Sequence, residues 1–416
     1  EFSNMPSKFS INKNQTFAGL IILALVVALG IYIGGKPAIF LFTGVALGYT
    51  LTRSRYGFAG GIKRIYITGE GSLSKALLLM FGISIILSAI IHMSAAAKGA
   101  PIPGLSSVHF LNISTILGGL LFGIGMMIAG GCASGTLSDM GEGAIRALIA
   151  LIFFIIGTLP GLVVKGLLDK SSLGKIGIKV YLPDVMGYIG AVALSLLLLF
   201  GLYMLTKKYE AFRKKEGFYE EVIYEPIEQA LPKEEANIYH KVFVERWSFL
   251  KGGIILAILF AIIQLSTGHS WGITAGFTNW GVGFLQAIGI KFTSPAFETT
   301  VKTVNNGLLK DTVGMRNLGI LLGAGISFLL AGRFKLDLDF KVKDSLFYVL
   351  GGLLMGFGAR LSGGCNVWAL YSGIGNFSLA GWVYFIFLAL GGIFALKVFA
   401  GKVNTVPPDR HDKKLV

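Results

Sequence analysis

Charge is the scarcest ingredient of this 416-residue chain: Asp, Glu, Lys and Arg together make up 14% of it, where a soluble domain carries roughly a quarter. That shortage excludes an ordinary cytoplasmic enzyme, a disordered chain and, despite a net charge of +15, a nucleic-acid binder. Cysteine is almost absent too; two residues, Cys132 and Cys365, cannot staple a secreted scaffold. The five histidines, His92, His109, His240, His269 and His411, have no metal-ligand spacing. No Gly-x-x-x-x-Gly-Lys-Ser/Thr loop occurs, which argues against ATP-driven transport by this chain itself. No Ser/His/Asp set gathers on one face, and no cofactor or metal site is expected.

Apolar residues and glycine fill the space. Hydrophobic residues make up 54% of the chain, mean hydropathy is +0.71, and 58 glycines are scattered without period through the apolar runs. Close helix packing in a bilayer uses small residues in this way, so the chain reads as an all-α polytopic membrane protein. Runs of about 20 apolar residues fall at 15–33, 37–52, 72–92, 114–131, 143–164, 186–205, 249–266, 270–289, 316–332, 346–363 and 376–399. The segments 37–52 and 270–289 are weak spans, and 270–289 must be re-entrant for the count of crossings to close. Glu1-Phe2-Ser3-Asn4 ahead of Met5 reads as a cloning remnant within an N-terminal tail, 1–14. The first apolar run lacks a small-residue cleavage site, so it reads as an anchor, not a signal peptide.

The stretch 206–248 is polar, with Lys207-Lys208, Arg213-Lys214-Lys215, Glu220-Glu221 and Glu234-Glu235. It divides a first membrane half, 15–205, from a second, 249–400, and a polar tail follows at 401–416. Basic residues gather on cytoplasmic loops. This bias places the linker, the loop 53–71 and the loop 333–344 inside, together with the tail bearing Lys402, Arg410, Lys413 and Lys414. The loops 93–111 and 290–315 fall outside. The loop 165–184 dissents, since parity puts it outside although it holds Lys165, Lys170, Lys175 and Lys179.

The most informative feature is a duplication. Gly118–Cys132 and Gly351–Cys365 share nine of fifteen residues at a constant offset of 233, and each copy ends in Gly-Gly-Cys. Parity makes the two halves an inverted repeat, an architecture that puts the substrate site at the repeat interface near the midplane. Each Gly-Gly-Cys is followed by a polar stretch expected to be non-helical, 133–139 and 366–373, with the next helix starting near Ala144 or Phe377. A helix can stop inside the bilayer only where its freed backbone is buried or lines a cavity. Cys132 and Cys365 are therefore expected to face each other at a narrow central constriction shaped by Gly130, Gly131, Gly363 and Gly364, where two thiols in series could contact a sulfur or selenium species.

The competing readings are plain ones. A single membrane cysteine is most often a small hydrophobe, and a disulfide between the two is a further alternative. Arg360, inside an apolar helix, could attract an anion or could serve a buried acid or backbone carbonyls; its repeat counterpart is Met127. Lys75 could attract an anion, although it and Glu142 suit interfacial anchoring. Trp280 and Trp368 suit packing.

Leu120–Cys132, Leu353–Ser372, Arg53-Ser54-Arg55-Tyr56-Gly57-Phe58-Ala59 and Trp271–Gly281 together resemble the YeeE/YedE family of sulfur-compound transporters. The resemblance covers most of both halves and leaves out the linker and the ends. It implies an hourglass of short helices, uptake of thiosulfate or a related sulfur anion, and cargo passed between cysteine thiols, here Cys132 and Cys365. It also implies a cytoplasmic sulfur-carrier or sulfurtransferase protein as receiver, and residence in the cell's inner or plasma membrane. Thiosulfate-handling members have a further cysteine where this chain has Gly57, ahead of Phe58, which leaves room for a selenium cargo; Gly57 and Phe58 are themselves expected to help shape the pore. On this reading the external positive loops and Arg360 draw an anion toward the thiols. A membrane thiol oxidoreductase is the rival from another class, and a non-transporting subunit of a larger assembly is a third.

Overall fold

The computed structural model describes residues 12–221, 228–229, 238–338 and 340–408. Glu1–Asn4, Glu234, Glu235, Arg410, Lys413 and Lys414 lie outside the described residues.

The first half begins with α1 (Lys13–Ile33), α2 (Gly35–Arg53), α3 (Phe58–Thr68) and α4 (Ser72–Ala97). It continues with α5 (Ile113–Ala129), α6 (Ala133–Gly141), α7 (Ile145–Lys170), the short α8 (Ser172–Lys175) and the long α9 (Leu182–Lys215). The second half contains α10 (Phe249–Thr267), α11 (Thr274–Ala287), α12 (Glu298–Asn305), α13 (Thr312–Leu330) and α14 (Val342–Leu361). A wide helical turn at Asn366–Ser372, then α15 (Gly373–Gly375) and α16 (Leu379–Val398), complete it. Nine helical segments among the described residues are long and apolar enough to cross a membrane, with α5 and α6 counted as one. The only sheet among them pairs β1 (Leu111–Asn112) with β2 (Gly177–Ile178).

The packing repeats itself between halves. Helix α5 lies on α16 as α14 lies on α7, and α2 lies on α13 as α10 lies on α4. Helix α3 sits beside α4 and α16, and α11 sits beside α13 and α7. The two helices that lead to the cysteines cross at the centre, and glycine lets them meet backbone to backbone. A Cβ on Gly118 would stand 2.6 Å from the Gly358 carbonyl oxygen, and one on Gly125 would stand 2.6 Å from that of Gly351. As numbers rise along α5 they fall along α14, so the two related helices are antiparallel. Only a twofold axis lying across them produces that arrangement, which makes the halves an inverted repeat.

Several expectations are corrected by this arrangement. The loop 53–71 contains a helix, α3, whose first residue Phe58 is buried against Trp271 and Tyr371 at ring distances of 6.3 and 5.8 Å. It mirrors α11, whose first residue Thr274 bonds the Cys365 amide. Both short helices point their N-terminal tips at the centre, so re-entry occurs twice, once from each face. The stretches 133–139 and 366–373 are helical, not irregular. Inside a bilayer, continuing to bond i to i+4 or i+5 is the least costly way to satisfy the backbone after a sharp turn. Helix α9 runs ten residues past 205, because buried Arg213 anchors its end on the carbonyls of Tyr66, Ile67 and Phe218. The linker is also tied down: Glu228 pairs with Arg55 at 3.2 Å and with Arg333, and Arg55 reaches Glu142 at 3.0 Å. The face carrying these contacts is called the linker face below.

Candidate functional site

Both Gly-Gly-Cys turns have nearly the same backbone. Gly130 and Gly363 close α5 and α14 at φ of +86° and +82°, a left-handed conformation that glycine takes without a Cβ penalty. Cys132 then adopts φ −81°, ψ 177° and Cys365 φ −80°, ψ −174°, and each opens the next helical turn. The Cys132 carbonyl accepts from Thr136 N, and that of Cys365 from Ala369 N, both at 2.7 Å. Duplicate sequence has produced duplicate geometry.

The turns converge. Cys132 and Cys365 are both free thiols, 1% and 0% exposed. They lie within electrostatic reach of one another, and Tyr384 of α16 lies within reach of both. Cys132 Sγ is 3.3 Å from Ser134 Oγ. The Cys365 sulfur is approached by Thr274 and by the backbone N–H groups of Val367 and Trp368.

Polar groups without partners surround Cys365. The Tyr384 hydroxyl is fully buried and makes no hydrogen bond among the described residues. It lies beside Ser362, whose hydroxyl donates to the carbonyls of Gly358 and Gly364 at 2.8 and 2.9 Å and so turns only its lone pairs to the phenol. Both side-chain polar atoms of buried Asn366, the residue after Cys365, are likewise unpartnered. Leaving such groups unpaired costs about 1–3 kcal/mol each, and native proteins rarely do so without a use for them.

The remaining candidates divide. Gly364 makes room for Trp368, whose Cδ1 would lie 2.5 Å from a Cβ there, and Gly131 faces Asp139. Gly57 caps α3 with nothing within 4 Å of where its Cβ would be, so a larger residue has space. Arg360 donates to Thr278 Oγ1 through Nε at 2.8 Å and also through Nη2. It has no ion pair with a carboxylate among the described residues. Lys75 is drawn away from this group: its ammonium pairs at 2.8 Å with Glu210, a carboxylate it shares with Lys214.

The two turns differ in what covers them. On the linker face, residues 401–408, expected to be a free tail, fold back as a turn with Val403 and Val406 buried. Thr405 Oγ1 donates to the Ile128 carbonyl at 2.7 Å, Lys63 donates to the Thr405 carbonyl, and Arg146 pairs with Asp139 at 2.6 Å. The opposite turn opens into a cavity of about 410 Å³ that ends at Ser362 and Gly363.

Sequence reasoning singled out both cysteines and their glycines and passed over Tyr384 and Asn366. A signal existed for each: a tyrosine inside an apolar run, and an amide beside the repeated cysteine.

Residues 53–394 match the sulphur-transport family. The chain is 26% identical to the "Thiosulfate transporter TsuA" of Escherichia coli (strain K12), over 84% of this chain and 91% of that protein. It is also 26% identical to the TsuA of Spirochaeta thermophila, over 84% of this chain and 95% of that one. The "Probable transporter YedE" of E. coli (strain K12) is 30% identical over 40% of this chain and 42% of its own length.

Proposed function

The chain belongs to the sulphur-transport family, and from that premise we propose that it imports a small sulfur-containing anion, thiosulfate or a close relative, through the waist between Cys132 and Cys365. The observation that carries this reading is the pair of Gly-Gly-Cys turns with nearly the same backbone, one at each end of the antiparallel α5–α14 pair, each holding a buried free thiol. A cysteine serving as a small hydrophobe has no need of unpaired Tyr384 and Asn366 groups around it. An anion at the waist would receive the Tyr384 and Asn366 protons and those of the two thiols in turn.

Magnitudes favour thiols over charges for the narrowest point. A unit charge 4 Å from an anion holds it by about 4 kcal/mol at an effective dielectric of 20, whereas a neutral hydrogen bond contributes about 1 kcal/mol net. Conduction needs binding weak enough to release. Arg360, held on neutral Thr278, supplies attraction near the waist while its guanidinium is kept in place by that bond. No covalent step and no electron transfer is required, so the chain acts as a transporter, not an enzyme.

The strongly basic linker face is cytoplasmic on this reading, with the linker and the chain's end inside an inner or plasma membrane. A sulfur-carrier or sulfurtransferase protein would receive cargo there. Gly57 occupies the place of a third thiol, so the relay here has two stations.

Uptake in cells lacking other sulfur routes tests the proposal. Cys132→Ser and Cys365→Ser are each expected to lower thiosulfate uptake at least tenfold, and selenium anions compete if they share the path. Gly57→Cys, which fits the open space, is expected to raise thiosulfate uptake. Parental uptake in both serine variants would rule out the relay.

A further inference from the structure

The dissenting basic loop, 165–184, encloses the cavity that ends at the second Gly-Gly-Cys turn. Its walls are the end of α7, α8 and the β1–β2 pair, and its lining includes His109, Lys165, Asp169 and Lys175. Asn112 fixes the wall by donating to the Gly174 carbonyl at 2.8 Å. Gly363 is exposed at the base while Cys365, two residues on, is fully buried. The cavity therefore stops where the waist begins.

Its charge is not balanced. Asp169 pairs with Lys165 at 3.0 Å, and Lys175 has no acidic partner among the described residues. His109 is oriented by its Nδ1, 2.9 Å from the Ser107 carbonyl. A carbonyl only accepts, so Nδ1 carries the proton, and Nε2 is a buried atom with no partner. Burial holds the His109 pKa below its ordinary 6.5, with Lys165 and Lys179 adding repulsion, so the imidazole is neutral and Nε2 is bare at neutral pH.

We propose that this cavity is the entry site for a small sulfur oxyanion, held by the Lys175 ammonium and by His109 once Nε2 takes up a proton. The assignment rests on the sulfur-anion reading above and names where the cargo waits before reaching Gly363 and Cys365. It also accounts for lysines gathered on the face where a positive loop is least expected: they focus an anion on the mouth of the path.

An anion beside His109 stabilises the imidazolium and raises its pKa, so binding takes up a proton. Affinity therefore rises as pH falls below neutrality. The groups bearing on His109 are Lys165 and Lys179, which oppose protonation; Lys175 lines the same cavity, and Asp169 is paired with Lys165.

Equilibrium binding of radiolabelled thiosulfate to the purified full-length protein, alongside uptake, tests this. Lys175→Gln is expected to weaken binding and raise the half-saturation concentration of uptake about three- to tenfold at low salt, with the maximal rate unchanged. Lys175→Glu weakens both further, Lys175→Arg restores them, and the differences shrink at high ionic strength. His109→Gln flattens the pH dependence of binding. Unchanged affinity in both Lys175→Gln and Lys175→Glu would overturn the entry site, even if Cys365→Ser abolishes uptake and the thiol reading stands. Conversely, charge-dependent binding with normal uptake in the cysteine variants would keep the entry site and remove the relay.

Discussion

The two ends of the waist are copies of one sequence with opposite surroundings. At the opposite face, Ser362 Oγ donates back to the Gly358 carbonyl, which also accepts the Ser362 amide, and Gly363 beyond it is open to the cavity. At the linker face, the residue equivalent to Ser362 is Ala129, which has no hydroxyl. The free carbonyls of α5 are met from elsewhere, by Thr405 on Ile128 at 2.7 Å and by Arg146 on Ala129 at 3.4 Å. A helix end must have its last carbonyls satisfied. At the linker face a distant segment meets those carbonyls and covers the turn; at the opposite face a cavity reaches the turn instead.

The comparison can be broken most forcefully at the covering turn. Val403 and Val406 each bury a side chain worth about 1.5–3 kcal/mol. Val403→Ser combined with Val406→Ser is expected to release the turn and speed the reaction of Cys132 with a membrane-impermeant maleimide applied from the linker face. The gain is at least about tenfold, the equivalent of 1.4 kcal/mol. Cys365, followed in the same sample by mass spectrometry, serves as the internal reference. An unchanged Cys132 rate would mean that something other than the turn closes that end.

A smaller effect separates the two glycines. Gly130→Ala and Gly363→Ala both force a positive φ on a residue with a Cβ, costing about 1–2 kcal/mol. Only at Gly130 does the new methyl meet atoms, Thr405 Cγ2 at 2.6 Å and Arg146 Nη1 at 3.0 Å, whereas at Gly363 it meets nothing within 4 Å. Thermal unfolding of the purified protein is expected to show the larger loss for Gly130→Ala; equal losses would contradict the asymmetry.

The finest test exchanges the caps. Thr405→Val removes one hydrogen bond, with an expected loss of about 1 kcal/mol. Ala129→Ser in that background places a hydroxyl where Ser362 has one, but that hydroxyl reaches the carbonyl four residues back, as Ser362 reaches that of Gly358, and is expected to leave the loss in the unfolding midpoint unrecovered. Recovery would show that a local hydroxyl can replace the one at 405.

Much of this was legible beforehand where the signal is local. Lys13–Ile33, Phe249–Thr267 and Thr312–Leu330 were readable from apolar run length, since lipid demands it. The Gly-Gly-Cys turns were readable from duplication, and their glycines from the left-handed backbone a sharp helix stop requires. Re-entrant α3 was hidden because its eleven residues, with Lys63 and Arg64 among them, look like a basic loop. Only the docking of Phe58 on Trp271 and Tyr371 pulls it inward. Lys75 looked free for an anion because its partner Glu210 is 135 residues away.

By itself, then, the sequence determined that this chain lives in a bilayer, that it is doubled, and that its two thiols occupy matched positions. Each of these follows from composition, run length or repetition, which are properties of neighbouring residues. The tertiary structure alone decided which groups stand unpaired beside the thiols, which lysine is paired, and which mouth is covered. Those outcomes depend on contacts between residues far apart in the chain, such as Thr405 with Ile128 or Lys75 with Glu210. No local pattern encodes such a meeting; it is fixed only when glycine-lined helices pack closely enough to bring those atoms within reach.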